Sequence, residues 1–545
     1  MRCRRSWCYY TVWTVYFTVW TVQHPSLKPK AVITVSNSLR ESTPIVAVSP
    51  VISPHRRWWA LVVLMLPVLL VSIDNTVLNL ALPAISEDLR PTGTQLLWVI
   101  DIYPLMLAGL LVAMGSLGDR IGRRRLLLVG SAGFGLVSVV AAFAPSIEWL
   151  IIDRAVLGFF GAMLMPPTLS LLRSVFTDRN QRRLAIAIWA SGFAAGSALG
   201  PVVGGVLLEH FAWGSVFLLA VPLLVPLLVL GPLLVPESRD PNPGRIDALS
   251  IVLSLATMLP VVYGIKALAE HGPTPLSVGP IVIGLAAGIL FVRRQPRLTH
   301  PMIDLGLFRV GAFSGAIGVN LLSVVALVGG LFFVSQYLQL VLALSPLEAG
   351  LVLVPGLVAM IVSGLVIVPI ARRVRPWIVV PVALLISAGG YAAAALGGGD
   401  LDAAGIAFVF VALGIGIGAA ETVSNELIVA NAPAEKMGAA SAVGETAYEL
   451  GAVLGTTILG TILTASYRSS IILPETLTAA QSTAAAETLG GAVAVADGLP
   501  SGLAEVLLGS AREAFTSGIG PTAWIGAALV LAAAFVALVT LRKAT

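Results

Sequence analysis

"GSLGDRIGRRR", residues 115–125, sets three glycines, an aspartate and four arginines between two long apolar runs, 95–116 and 125–146. Gly115, Gly118 and Gly122 permit a tight turn and close helix approach. Asp119 suits the free backbone N–H groups at the start of the helix that follows. Arg120, Arg123, Arg124 and Arg125 suit anionic headgroups, or partners across an inner gate. A basic turn of this kind between two apolar runs is what a short cytoplasmic loop looks like, and the rest of the chain agrees. Of 545 residues, 57% are hydrophobic and 11% charged, with a mean hydropathy of +0.94. Soluble domains carry about a quarter charged residues, so the fold class is all-α integral membrane.

Apolar runs of about twenty residues, each long enough for a hydrocarbon core of about 30 Å, number about fourteen. The first covers 58–82, the seventh and eighth 246–268 and 277–294, and the last 521–541. With the N-terminus inside, about twenty of the 33 Lys and Arg fall on inner loops and the C-terminal tail, and about four near the outer side. Both termini are therefore expected in the cytoplasm. Residues 1–55 repeat themselves in "YTVWTVYFTVWTV" and read as an irregular tail or a mis-called translation start. Residues 468–519 form an outer loop in which "LTAAQSTAAAETLGGAVAVA" and "GLAEVLLGSAREAF" predict two short helices in a hairpin.

Several function classes drop out early. Cys3 and Cys8 have no ligand-spaced partners, so metal and disulfide readings lack support. The net charge of +5 has no extramembrane basic domain to occupy, which removes a nucleic-acid binder. No Gly-Lys dipeptide occurs, as an ATP-driven pump would need. The five histidines lie in the tail, in loops or near span ends, which does not suit an enzyme, and no cofactor is implied.

The remaining motifs sit inside the spans. "GSALGPVVGG", 196–205, places Gly196, Gly200 and Gly204 on one helix face beside Pro201 and Gly205. Small residues at that spacing let a neighbouring backbone approach, and the proline kinks the helix. Together with "IDNTVLNLALP" (73–83), "WVIDIYPLMLAG" (98–109), "RAVLGFFGA" (154–162) and "SAVGETAYELG" (441–451), these stretches resemble the fourteen-span drug:proton antiporters of the major facilitator superfamily, of the EmrB/QacA type. Two of these stretches, 98–109 and 441–451, resemble the quaternary-ammonium exporters in that group. The resemblance covers about 58–465. It implies a major facilitator fold of two six-helix bundles, an N-terminal one over 56–240 and a C-terminal one over 301–545. Two inserted helices over 241–300 separate them. It also implies alternating access by rocking of the bundles. "IARRVRPW", 370–377, is a poor copy of the loop signature in the second half, so the inner gate is expected to be asymmetric.

Charges inside the apolar runs are functional candidates. Asp74, Asp101 and Arg154 fall at depths that let them share one layer. Arg154 would stabilise the charge of a nearby carboxylate, and a static salt bridge is the plain alternative. Glu445 and Glu449, four residues apart, face one side of a helix, and two carboxylates that close resist ionising together. That suits a site exchanging protons for a cationic guest. Trp189, Tyr103, Tyr337 and Tyr448 are candidate ring partners for such a guest. Glu421 has no match in the family pattern. The expected function is export of lipophilic, mainly cationic drugs across the bacterial cytoplasmic membrane in exchange for protons, with lipids as the surrounding partner. The alternatives are export of a self-made antibiotic or other metabolite, and a transporter-like sensor without flux.

Overall fold

The computed structural model describes residues 54–240, 247–299, 301–432 and 437–543. The N-terminal tail lies outside the described residues. The described residues are helical with no strand, and fourteen helices are long and apolar enough to cross a membrane, as the hydropathy pattern predicts. They are α1 (His55–Leu89), α2 (Gly93–Ile121), α3 (Arg123–Ala141), α4 (Ile147–Val175), α5 (Leu184–His210), α6 (Ser215–Leu234) and α7 (Ala248–Leu268). The second seven are α8 (Pro275–Arg297), α9 (Gly311–Val341), α10 (Pro346–Ala371), α11 (Pro376–Asp400), α12 (Ala403–Ala430), α13 (Ala440–Ser470) and α14 (Ser501–Thr540).

Local chemistry sets many of these ends. The Thr92/Gln95, Thr274/Ser277 and Ser345/Glu348 pairs are reciprocal capping boxes that start α2, α8 and α10. Gly122 turns the chain between α2 and α3 with φ of 114°, a conformation that suits glycine. Two helices relax into wider π turns, Tyr337–Val341 in α9 and Thr456–Gly460 in α13.

The side carrying Arg120, Arg123 to Arg125, Arg293, Arg294, Arg372 and Arg373 is the basic face, and the opposite side is the far face. α1 runs from the basic face to the far face and packs on α5, while α9 packs on α12, α13 and α14. Contacts between the two bundles gather towards the far face. There Ser335 Oγ donates to Asn79 O (3.1 Å) and Gln339 Nε2 to Leu80 O (3.2 Å), joining α9 to α1. A Cβ on Gly205 of α5 would come within 2.6 Å of Leu347 Cα in α10.

The inserted pair α7 and α8 forms a tight hairpin. Cβ atoms on Gly264 and Gly284 would meet Ser277 O and Thr257 O at 2.7 Å, so only glycine lets these backbones come so near. At the basic face Arg294 donates to both Asp247 oxygens, at 2.9 and 3.0 Å. Those bonds hold the Asp247 carboxyl down at about 2.

The outer loop differs from the expected hairpin. Both short helices, Ala479–Glu487 and Leu489–Ala496, come from its first half. The second half joins the last span as one 40-residue helix, Ser501–Thr540. Its apolar stripe continues the stripe of α14 without a helix stop, and Pro521 is carried inside the helix. Tyr467 of α13 donates to Ala485 O (2.7 Å), Glu487 pairs with Arg468, and Gly93 N donates to Glu487 Oε2 (3.2 Å). The short helices are thus tied to the far-face ends of α2 and α13.

Candidate functional site

Asp74 of α1 and Arg154 of α4 meet inside the first bundle. Arg154 Nη1 donates to Asp74 Oδ2 at 2.7 Å, and its Nε donates to Val99 O of α2 at 3.1 Å. The guanidinium lies 4.4 Å from the centroid of the Tyr103 ring, so its planar face is covered while its edge is paired. Arg154 is 1% exposed and Asp74 8%. Asp74 and Arg154 both border a cavity of about 60 Å³ with Asn75, Asn79, Phe193, Met360 and Tyr448 around it.

Asp101 does not pair with Arg154, and the reason is helical rotation. The Tyr103 side chain of α2 lies against the Arg154 guanidinium, and a side chain two residues before it points about 200° away. Asp101 therefore turns outward from the bundle to meet Lys266 of α7, Nζ to Oδ2 at 2.8 Å. Thr457 of α13 donates to the same oxygen at 2.8 Å. Lys266 also lies 4.1 Å from the Trp98 ring centroid. The sequence reading passed over Lys266, although "YGIKALAE" places a lysine within an apolar run. Near the end of a span a lysine reads as one that reaches for the interface, and here it turns inward instead.

The acidic residues of α12 and α13 gather near Tyr448. Tyr448 lies within electrostatic range of Glu421, Glu445 and Glu449, and Glu449 within range of Asp74 and Glu445. Glu449 is buried, and its Oε2 has no hydrogen-bond partner among the described residues. Glu445 and Glu421 are half-buried. The Tyr448 ring meets Phe193 of α5 edge-on at 5.9 Å, so the two bundles touch through aromatic edges beside the cavity. Trp189, one turn before Phe193, is half-buried with its Nε1 unpartnered among the described residues. The arrangement is a carboxylate cluster against aromatic edges, chemistry suited to protons and organic cations. At about 60 Å³ the cavity is far below the 300 Å³ or more that drug-sized ligands need, so a guest requires the bundles to move.

At the basic face the loop residues pair within the first bundle. Asp119 binds Arg123 at 2.8 Å rather than capping α3. The cap comes from Glu237, just beyond α6, which accepts the N–H groups of Arg124 (3.0 Å) and Arg125 (3.3 Å). The positive φ of Gly122 aims those N–H groups away from Asp119, and a Cβ there would meet the Glu237 carboxyl at 2.7 Å. Gly118 packs on Leu126, Gly115 faces Pro166, and Arg120 is exposed. In α5, Gly196, Gly200 and Gly204 face Ser72, Thr76 and Val77 of α1, while Pro201 and Gly205 face Gly350 and Leu347 of α10. One helix thus carries the close contact within the first bundle and a close contact to the second.

Comparison with known proteins agrees with this architecture. Residues 64–456 match the Major Facilitator Superfamily. The chain is 59% identical to the multidrug efflux pump LfrA of Mycolicibacterium smegmatis, over 90% of this chain and 97% of that protein. It is 37% identical to the methyl viologen resistance protein SmvA of Salmonella typhimurium, covering 84% and 93%. It is 34% identical to a tetracenomycin C resistance and export protein of Streptomyces glaucescens, covering 90% and 92%. Among solved structures, an inward-facing bacterial homologue of the lysosomal transporter Spinster matches with a TM-score of 0.60 at 19% identity, over 89% of this chain and 98% of that one. The chain belongs to the Major Facilitator Superfamily, as a multi-span membrane transporter and not an enzyme.

Proposed function

We propose that the protein exports lipophilic, mainly cationic drugs across the bacterial cytoplasmic membrane in exchange for protons. The observation that carries this reading is the carboxylate cluster, Glu421, Glu445 and Glu449, around Tyr448 beside a cavity that Asp74 also borders. Carboxylates held in apolar surroundings take either a proton or an organic cation, and one occupant excludes the other. Phe193 and Tyr448 add ring faces and edges that suit an ammonium or a flat aromatic cation. The relatives that are an efflux pump and a methyl viologen resistance protein support a drug and cation range.

In this reading the basic face is cytoplasmic, and the bundles rock about the central cavity, which opens and closes the seam that joins them at the far face. The N-terminal bundle takes residues 56–240, the inserted pair 241–300 and the C-terminal bundle 301–545. Gly196, Gly200, Gly204 and Gly205 keep α5 close enough to α1 and α10 to serve as a moving contact, while Asp119, Arg123 and Glu237 brace the cytoplasmic turn. A second reading, export of a self-made antibiotic, is favoured by the tetracenomycin relative.

Efflux of a fluorescent lipophilic cation from cells or inverted vesicles, with and without an uncoupler, tests the proposal. Uncoupler should abolish efflux, and Asp74→Asn and Glu445→Gln should each lower it by at least about tenfold, the loss expected when a charged partner worth 1.5–3 kcal/mol is removed. Normal export by both variants would overturn the site assignment, and uncoupler-insensitive export would overturn proton coupling.

A further inference from the structure

Lys266 is the buried cation of the inserted hairpin, and nothing in the antiport reading uses it. Its ammonium is 1% exposed and the Asp101 side chain 0%, so each charge depends on the other for compensation. The pair binds across elements that belong to three parts of the molecule. Asp101 stands on α2 of the first bundle, Lys266 on α7 of the insert, and Thr457 on α13 of the second bundle. Lys266 and Thr457 both meet one oxygen, Oδ2, while Oδ1 has no hydrogen-bond partner among the described residues.

The surroundings are spare. Beside this polar node, α7 meets α2 and α13 through a small apolar group of Val262, Leu105 and Val453, with Trp98, Met258 and Leu259 next to it, and Leu255 packs on Gly109 of α2 further towards the basic face. Thr457 lies in the π turn Thr456–Gly460, where the wider coil brings its hydroxyl across the seam. One turn further, Thr461 is buried with its hydroxyl unpartnered, and borders a small cavity with Lys266, Thr94 and Thr464 towards the far face.

We propose that Lys266, Asp101 and Thr457 form a clasp that ties the inserted hairpin to both bundles and holds the far-face seam between α2 and α13 closed, with Lys266 acting as a positioning residue through Asp101. Lys266 compensates and orients the carboxylate, and the oriented carboxylate receives Thr457 from the other bundle. When the seam opens, Thr457 leaves Asp101 while Lys266 stays, because α2 and α7 remain in contact. The inserted helices then set how readily the far face opens. This goes beyond the antiport reading and stands without it, since seam opening is read on the idle protein.

The test uses the full chain, purified in lipid nanodiscs, with Cys3 and Cys8 replaced by serine and Thr461→Cys as a reporter. The rate of labelling by a membrane-impermeant maleimide reads the opening of the seam. A hydrogen bond to a charged group contributes about 1.5–3 kcal/mol, so Thr457→Val should raise the labelling rate at least about tenfold. Thr457→Ser keeps the hydroxyl and should leave the rate as in the parent. Asp101→Leu with Lys266→Met removes the acceptor and the pair without stranding a charge and should raise the rate similarly, and adding Thr457→Val to it should raise the rate no further. An unchanged rate in Thr457→Val would overturn the clasp. So would equal increases in the valine and serine variants, which would point to packing alone, or full additivity of Thr457→Val with the double variant. Loss of proton coupling in the efflux assay would leave these outcomes untouched.

Discussion

Asp74 and Arg154 hold opposite charges in an apolar bundle, so changing one alone strands the other. Removing one member of a buried pair costs about 3–5 kcal/mol. Arg154→Gln should therefore lower thermal stability sharply, as read by the unfolding midpoint of purified protein. Asp74→Asn combined with Arg154→Gln should recover most of that loss without recovering export, because the double variant strands no charge at this pair and lacks the Asp74 carboxylate beside the cavity. Recovery of export would show that the pair serves packing alone. The sequence made Asp74 and Arg154 legible because an ionisable residue stands out in an apolar run. It did not make the partner of Asp101 legible, since depth along a helix says nothing of rotation against the neighbours. Two residues of rotation separate the Tyr103 ring that covers Arg154 from the carboxylate that meets Lys266. Glu237 escaped notice for a similar reason: it is an ordinary acidic residue after a span until the Gly122 turn brings two backbone N–H groups to it.

α5 is the element whose motif translated most directly into packing. Spacing by four puts Gly196, Gly200 and Gly204 in one row, and the row lies on α1 beside Ser72, Thr76 and Val77. Ser72 and Ser197 add a hydroxyl contact of 2.7 Å between the same two helices. Gly200→Val would drive a branched side chain into Thr76, and overpacking of this kind costs about 1–3 kcal/mol. The expected outcome is a lower unfolding midpoint together with reduced export, and the measurement is thermal unfolding beside dye efflux. Unchanged stability would mean that α1 and α5 separate more easily than their contact suggests. The outer segment 468–519 was less legible than α5. Its periodicity revealed helices, yet whether a helix joins the next span depends on the lack of a stop signal between Ser501 and Pro521, which a broken, low-complexity stretch obscures.

For the molecule as a whole, the count of charges near the midplane bears on what drives export. Asp74 is compensated by Arg154, whereas Glu421, Glu445 and Glu449 share the neighbourhood of Tyr448 and form no ion pair with a basic side chain among the described residues. In the proposed exchange, three acidic groups near the guest would provide more than the single proton needed for electroneutral exchange of a monovalent cation. The expected stoichiometry is two protons per monovalent cation, which moves one net charge inward per cycle. Each 100 mV then contributes about 2.3 kcal/mol to export. In proteoliposomes held at a fixed pH difference, imposing a potassium diffusion potential with valinomycin should accelerate export of a monovalent dye cation. A divalent cation exchanged for the same two protons should show no such dependence, and Glu445→Gln, with one carboxylate fewer, should make monovalent export insensitive to voltage. Voltage-independent export of the monovalent cation by the unmodified protein would reduce the exchange to one proton and leave the additional glutamates with a role in shaping the cavity.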